Sequence, residues 1–383
     1  MQIQDFRATS TGSLVKIASF WGGDHAFEPA PLPPDWDFPL ELWPLLAEAK
    51  SDLKLLEGVG RGLQNPGVLL GPSRDREAII SSRMEGTYAT PRQMLLYELD
   101  PREVESEDDP LNQHREVANY ARALEHASET ALPVGLPLIR QLHQLLLDGV
   151  RGDDKEPGRF RSRQVAIGEN ARFIPPAPEK LHDFLNDLDT YFHVTGQKYD
   201  PLVDCFLVHY QFETIHPFAD GNGRVGRLLL AVMIQELCGL SQPWVHISES
   251  FGQDHNEYCG RMYRVSSEGD WAQWIEYCLR SVVSLAKITI DRCDRLRSLH
   301  EDQLDRLPKK RGDARLRPIV DLLFHSPALR ITELSKTFAV AYPTAQSDVT
   351  KLVDVGILAE LPDAYPKTFY APEIFAIAYE GLD

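Results

Sequence analysis

The sequence predicts a mainly α protein with a small β-hairpin in its middle and a winged helix-turn-helix near its C-terminal end. Three observations lead there. Apolar residues recur at three- and four-residue spacing through most of the chain. One stretch, 150–180, breaks that rhythm with Gly and Pro and holds two short strand-like runs. Beyond a mixed-charge stretch at 301–314, three short helical patterns are followed by two strand-like segments.

Composition bounds the reading. At 383 residues the chain is too long for one ordinary domain, and 43% hydrophobic residues suffice for real cores. Disordered and collagen-like classes are excluded. With 40 basic and 57 acidic residues the net charge is −17, so general nucleic-acid binding is disfavoured. The N-terminus lacks a basic region followed by an apolar run, and the longest apolar run is Leu228–Ile234. We therefore expect a cytoplasmic protein with no membrane contact. Five scattered cysteines without CxxC spacing read as reduced thiols.

Each element follows in turn. Residues 1–40 read as loop because of Gly22-Gly23 and four prolines. Helices are expected at about 40–61, 73–84 and, from Thr90-Pro91, to Leu99. An acidic loop at 101–111 precedes helices at 112–131 and 136–149. The hairpin pairs Gln164–Ile167 with Arg172–Ile174 across Gly168–Ala171. Helices resume at 179–195, 200–215, 222–238, 253–265 and 270–300. The C-terminal helices are expected at 316–325, 331–338 and 343–355, with a wing at 357–370.

One segment concentrates chemistry: His216-Pro217-Phe218-Ala219-Asp220-Gly221-Asn222-Gly223-Arg224-Val225-Gly226-Arg227. Gly221 and Gly223 allow backbone N–H groups close to a ligand. A helix starting at Asn222 or Gly223 offers an N-terminus that attracts anions. Arg224 and Arg227, three apart, share a helix face and can clamp phosphate oxygens. Asp220 is a hard oxygen ligand suited to Mg²⁺ beside phosphates. His216 can accept a proton near neutrality. A Walker A loop is excluded, since no Gly-Lys-Ser/Thr follows the glycines, and HExxH zinc chemistry is absent.

This segment resembles the signature of the Fic family, His-Pro-Phe-x-Asp/Glu-Gly-Asn-Gly-Arg-x-x-Arg, at all nine specified positions. The likeness extends to Pro157-Gly158-x-Phe160-Arg161, Gln164-Val165, Ile167-Gly168, Pro175-Pro176, Gly269-Asp270-Trp271 and Trp274-Ile275. It implies a Fic helical bundle that transfers AMP from ATP onto a protein Ser, Thr or Tyr hydroxyl, the chain's own included. His216 would be the general base and Asp220 would hold Mg²⁺. Gly221, Asn222 and Gly223 would form the anion hole, with Asn222 at the α-phosphate. Arg224 would meet the β-phosphate and Arg227 the γ-phosphate. The hairpin, with Ile167, Gly168, Arg172 and Phe173, would be the flap that registers a target segment. Tyr258 is the candidate base contact, although the family often shows Tyr-Tyr where this chain has Tyr258-Cys259. Trp271 reads as core.

Ser81-Ser82-Arg83-Met84-Glu85-Gly86 resembles the family's inhibitory motif, on a helix at about 73–86. Glu85 would then pair with Arg227, with Ser81 beside it, and keep the γ-phosphate out. The resemblance also makes a homodimer the expected assembly. The expected organisation is a helical region at 1–110, a catalytic core at 111–300, a linker at 301–314 and a winged helix at 315–383. That last domain carries six Lys/Arg against nine Asp/Glu. A protein contact therefore suits it better than DNA. The alternatives are a DNA-binding regulator with a nucleotide-sensing core, a deAMPylase, or a Fic enzyme using another nucleotide.

Overall fold

A computed structural model describes residues 1–383 apart from 9, 22, 62–66, 100–105, 107–108, 131, 151–155, 194–197, 309–312, 363 and 383. Part of the expected acidic loop, and the middle of the expected linker, lie outside the described residues.

Among the described residues the larger unit is built by α1 (Trp43–Arg61), α2 (Gly67–Met84), α3 (Pro91–Leu99), α4 (Leu111–Glu129), α5 (Leu136–Leu146), α6 (Leu181–His193), α7 (Pro201–Ile215), α8 (Asn222–Leu237), α9 (Ser248–Phe251), α10 (His255–Glu268) and α11 (Trp271–Arg306). The centre is α7 packed on α8. Both helices are buried on nearly all sides, as expected when apolar residues ring a helix rather than stripe it. Around them α4 and α5 pack on α8, α1 runs along α11, and α2 lies against α4.

Local chemistry sets the boundaries. Asp200 caps α7 by accepting from the Leu202 N–H at 3.1 Å, and Pro201 takes the first helical position. Asp254 caps α10, which ends on Gly269 with φ +75°. Asp270 then caps α11. At 36 residues this helix is about 54 Å long. Its last turns cover 301–306, so the first part of the expected linker is helix, and Arg306 reaches Glu373 at 2.8 Å.

The N-terminal loop expectation is overturned. Strands β1 (Gly12–Phe20) and β2 (Gly23–Pro29) form an antiparallel hairpin with Gly12 opposite Pro29. Leu14, Val15 and Ile17 supply strand propensity that the flanking prolines obscured. Phe27 of β2 is buried, and its N–H donates to the Ile174 carbonyl at 2.8 Å.

The C-terminal unit comprises α12 (Leu316–His325), β3 (Ala328–Arg330), α13 (Ile331–Thr337), α14 (Tyr342–Asp354), β4 (Ala359–Glu360), β5 (Thr368–Tyr370) and α15 (Pro372–Ala378). Its antiparallel sheet runs β3-β5-β4. Helices α12, α13 and α14 and the β4–β5 pair lie in the expected segments, while β3 and α15 were not expected from the sequence. Their apolar interior is continuous with that of the helical unit. Among the described residues, no helix is long and apolar enough to cross a membrane.

Candidate active site

The chemistry-bearing loop joins α7 to α8. α7 ends when His216 turns left-handed, φ +51°, while its N–H still bonds the Phe212 carbonyl at 2.9 Å. A non-glycine residue in that region is strained and is held there by its surroundings. The holding group is Arg161, 4% exposed. Its guanidinium donates to the carbonyls of His216 (2.8 Å), Pro176 (2.6 Å) and Arg163 (3.2 Å). One cation thus ties the loop to the flap strand. Burial lowers its pKa to about 10.

Asn222 closes the loop from the other end. Its Oδ1 accepts from the Phe218 N–H at 2.8 Å and its Nδ2 donates to the Phe218 carbonyl at 3.0 Å. The side chain expected at the α-phosphate is therefore spent on loop closure. Its backbone N–H belongs to the opening turn of α8, whose first N–H groups have no partner inside the helix. Gly221 begins that turn at φ +76°.

His143 of α5 completes the cradle. Its Nδ1 accepts from the Gly158 N–H at 2.8 Å, so Nε2 carries the proton and donates to the Asp220 carbonyl at 3.0 Å. The ring stacks on Phe218 at 3.7 Å. Burial pushes it down to about 4, so it stays neutral. Burial likewise pushes His216 down to about 4, with Arg161 adding to the effect. His216 is thus an unprotonated imidazole at neutral pH, as a proton acceptor requires.

The Asp220 side chain retains 41% of its accessibility beside the start of α8. One oxygen accepts from the Gly221 N–H at 2.7 Å. Among the described residues no group of three His, Cys, Asp or Glu could hold a metal alone. That donor set fits Mg²⁺, which takes one or two carboxylates and fills the rest with phosphate oxygens and water. It does not fit a protein-only cage.

The two arginines diverge. Arg227 is 1% exposed and bound wholly to the α2 side. Nε donates to Ser81 Oγ at 2.8 Å, and Nη2 to the Ser81 carbonyl at 2.9 Å and to Glu85 Oε1 at 2.8 Å. Burial pushes the Glu85 carboxyl up, but Arg227 outweighs it and holds Glu85 below the ordinary range. Glu85 Oε1 also sits 2.3 Å from where a Cβ on Gly223 would stand, directly over the first turn of α8. Arg224 turns back toward Glu116 of α4, 3.5 Å away, and lies 4.0 Å from Asp220.

Two expectations change. The flap is not a regular hairpin: Ile167 and Phe173 form a single antiparallel bridge, and 169–171 is a short 3-10 turn. Gly168 (φ +74°) and Asn170 (φ +54°) curl the tip too tightly for paired strands. Arg172 instead lays its guanidinium over the Tyr263 ring at 4.6 Å. Tyr258, expected at the base, is 2% exposed; its hydroxyl meets His209 Nε2 at 2.8 Å and its ring stacks on Phe251. It offers no surface to a ligand, because its OH finds its partner in the core. Trp271 is core, edge-on to Tyr210.

Sequence reasoning missed Glu213, one turn before His216. Its Oε1 is buried without a hydrogen-bond partner among the described residues. It lies where a Cβ on Gly226 would come within 2.1 Å. Burial raises it to about 8 despite Arg227, and Glu85 adds to the rise. His143 was also missed: a histidine on an amphipathic helix carries no local signal of a partner 77 residues away.

Comparison with known proteins agrees with this geometry. Residues 43–129 match the Fic/DOC family N-terminal model and residues 133–234 the Fic/DOC family model. The chain thus carries a segment matching the Fic/DOC family model, preceded by one matching that family's N-terminal model. Among curated proteins it is 29% identical over 173 residues to "Protein adenylyltransferase Fic" of Nematostella vectensis, covering 44% of this chain and 38% of that one. It is 31% identical over 130 residues to "Protein adenylyltransferase fic-1" of Caenorhabditis elegans, covering 32% and 25%. The matched region thus spans well under half of either relative. Among solved structures, a Fic family protein from Desulfovibrio desulfuricans shares the fold at TM-score 0.57 and 19% identity, over 88% of this chain and 98% of its own. A C. elegans Fic-1 fragment (residues 134–508) aligns at TM-score 0.51 and 20% identity, over 67% and 74%.

Proposed function

We propose that this chain is a nucleotidyltransferase that moves AMP from ATP to a protein Ser, Thr or Tyr hydroxyl, and that Glu85 restrains it. The observation that carries the reading is the position of the Glu85 carboxylate, on Arg227 and over Gly223. It occupies the anion seat that α8 and Arg227 would otherwise offer a polyphosphate.

In the released state the target hydroxyl oxygen attacks the α-phosphorus. His216 takes the hydroxyl proton, and the bond from the α-phosphorus to the pyrophosphate oxygen breaks. The products are a protein–AMP phosphodiester and pyrophosphate. The opening N–H groups of α8 and its dipole would face the phosphate charge, and Arg227 would bind its far end. Asp220 would hold Mg²⁺, which supplies charge neutralisation to the leaving pyrophosphate when bound. The Ile167–Phe173 bridge would present an edge for an extended target segment.

The test uses ATP labelled at the α- or the γ-phosphate with wild type, Glu85→Gly and Glu85→Gly/His216→Ala. Protein label is expected from the α-position alone, in Glu85→Gly and not in the double variant. Label from the γ-position would mean kinase-like geometry, and no label with any supplied target would favour nucleotide sensing. For the C-terminal unit, its net acidity favours a protein contact over DNA. Lys351 of α14 is itself paired with Asp313 at 2.7 Å.

A further inference from the structure

Helix α2 carries Ser81, Glu85 follows in the turn just past its end, and besides α4 the helix meets the Arg227 side and the C-terminal unit. At 100° per residue Arg76 and Arg83 fall about 20° apart on α2, whereas Ser81 projects about 140° away from Arg76. The Ser81–Glu85 side faces Arg227. The C-terminal unit touches α2 at several points away from that side, while α4 and α9 also pack on it. In the second turn, on a flank of the helix, a Cβ on Gly71 would lie 2.9 Å from the His325 carbonyl that ends α12. Next, the Tyr379 hydroxyl donates to Asp75 Oδ2 at 3.2 Å. Arg76 Nη1 donates to the Glu380 carbonyl at 2.7 Å, while its Nε and Nη2 hold Glu249 of α9. In the last turn Arg83 Nη2 reaches the Leu382 carbonyl at 3.5 Å. Tyr379 and Leu382 are 5% and 3% exposed. Arg295 of α11 pins Glu380 from outside at 2.7 Å.

We infer that residues 379–382 clamp the brake helix, so that the C-terminal unit sets how firmly Glu85 is seated on Arg227. The inference rests on the reading of Glu85 as a brake and names what controls it. α2 has almost no apolar stripe of its own. Its position is therefore dictated by what packs on it, the C-terminal unit together with α4 and α9, not by intrinsic amphipathicity. Loosening one side gives the other freedom to part. Whatever displaces residues 379–382, such as a protein bound to the C-terminal unit, would raise the population in which Arg227 is free for nucleotide.

The test compares wild type, Tyr379→Phe, the chain shortened after Ala378, and Glu85→Gly, all as otherwise full chains. Hydrogen exchange is followed in residues 72–84, with automodification from α-labelled ATP read in parallel. Tyr379→Phe removes one hydrogen bond and keeps the ring. It is expected to lower protection of α2 about fivefold and to raise label by a similar factor. The shortened chain is expected to show more of both. If it fails to fold by circular dichroism, Tyr379→Phe decides. Suppose Glu85→Gly is active while Tyr379→Phe and any folded shortened chain keep wild-type α2 protection and label. The clamp is then wrong and the brake stands. If Glu85→Gly gains no label although the tail variants deprotect α2, the brake reading fails and the inference falls with it.

Discussion

The motif loop and the flap sit side by side, yet they are built on opposite principles. From His216 to Asn222, groups from four parts of the chain hold the loop: Asn222, His143, Arg161 and the end of α7. The flap has one strand bridge, a positive-φ tip and an arginine resting on a ring. A loop that must present charge to a phosphorus atom gains from being fixed before substrate arrives. A strand edge that must accept varied target segments gains from being only partly committed. Arg161 joins the two, since it bonds the His216 carbonyl on one side and Pro176 on the other.

The largest expected effect breaks the loop chemically. In the Glu85→Gly background, His216→Ala should lower AMP transfer by about 10²–10⁴-fold, the usual worth of a general base. Nucleotide affinity, measured by calorimetry, should change little. Arg161→Ala comes next. It strands several buried carbonyls and should cost about 2–4 kcal/mol in urea unfolding, with AMP transfer in that background down at least about tenfold. Flap substitutions should be milder. Gly168→Ala forces a side chain into φ +74° and should cost about 1 kcal/mol. Arg172→Ala loses a cation–π contact worth about 0.5–1 kcal/mol. Both should raise KM for a protein target while leaving nucleotide affinity alone. If the flap changes alter nucleotide binding instead, the two regions do not divide their labour in this way.

The smallest effect sharpens the comparison through pH. His216 and His143 are lowered to about 4, and His209 to about 3, chiefly by burial. A depressed histidine is neutral in the fold above its lowered pKa, and the unfolded chain takes up its proton first, near 6.5. Stability is therefore fully present above about 6.5 and is lost as pH falls toward 4. The rate of Glu85→Gly should stay flat from pH 8 to about 6 and fall only as the fold itself weakens. A rate limb near pH 6.5 with no loss of stability would show that His216 is not held as described.

Much of this was legible in the sequence because it is local. Nine motif positions lie within twelve residues, and their neighbours α7 and α8 are continuous apolar helices. Glu85 and Ser81 are hydrogen-bonded to Arg227. What stayed hidden depends on tertiary contact. Asn222 seemed a ligand group until Phe218 claimed its side chain. Tyr258 seemed a ligand contact until His209 claimed its hydroxyl. The N-terminal hairpin was masked because prolines and glycines at its borders outweighed a short run of Leu, Val and Ile. No pattern in 379–382 announces that these residues lie along α2, since that contact bridges some 300 positions.

The left-handed backbone of His216 has a consequence for how such a chain would decay under mutation. L-residues at this position bear backbone strain, least for Asn, Asp and His and most for β-branched side chains, and only glycine escapes it. Replacement by glycine would relieve the fold locally while abolishing the proton acceptor. The easiest substitution for the scaffold is therefore fatal to the chemistry. Among relatives that no longer need the reaction, drift at this site should run toward glycine, and its backbone geometry should relax first.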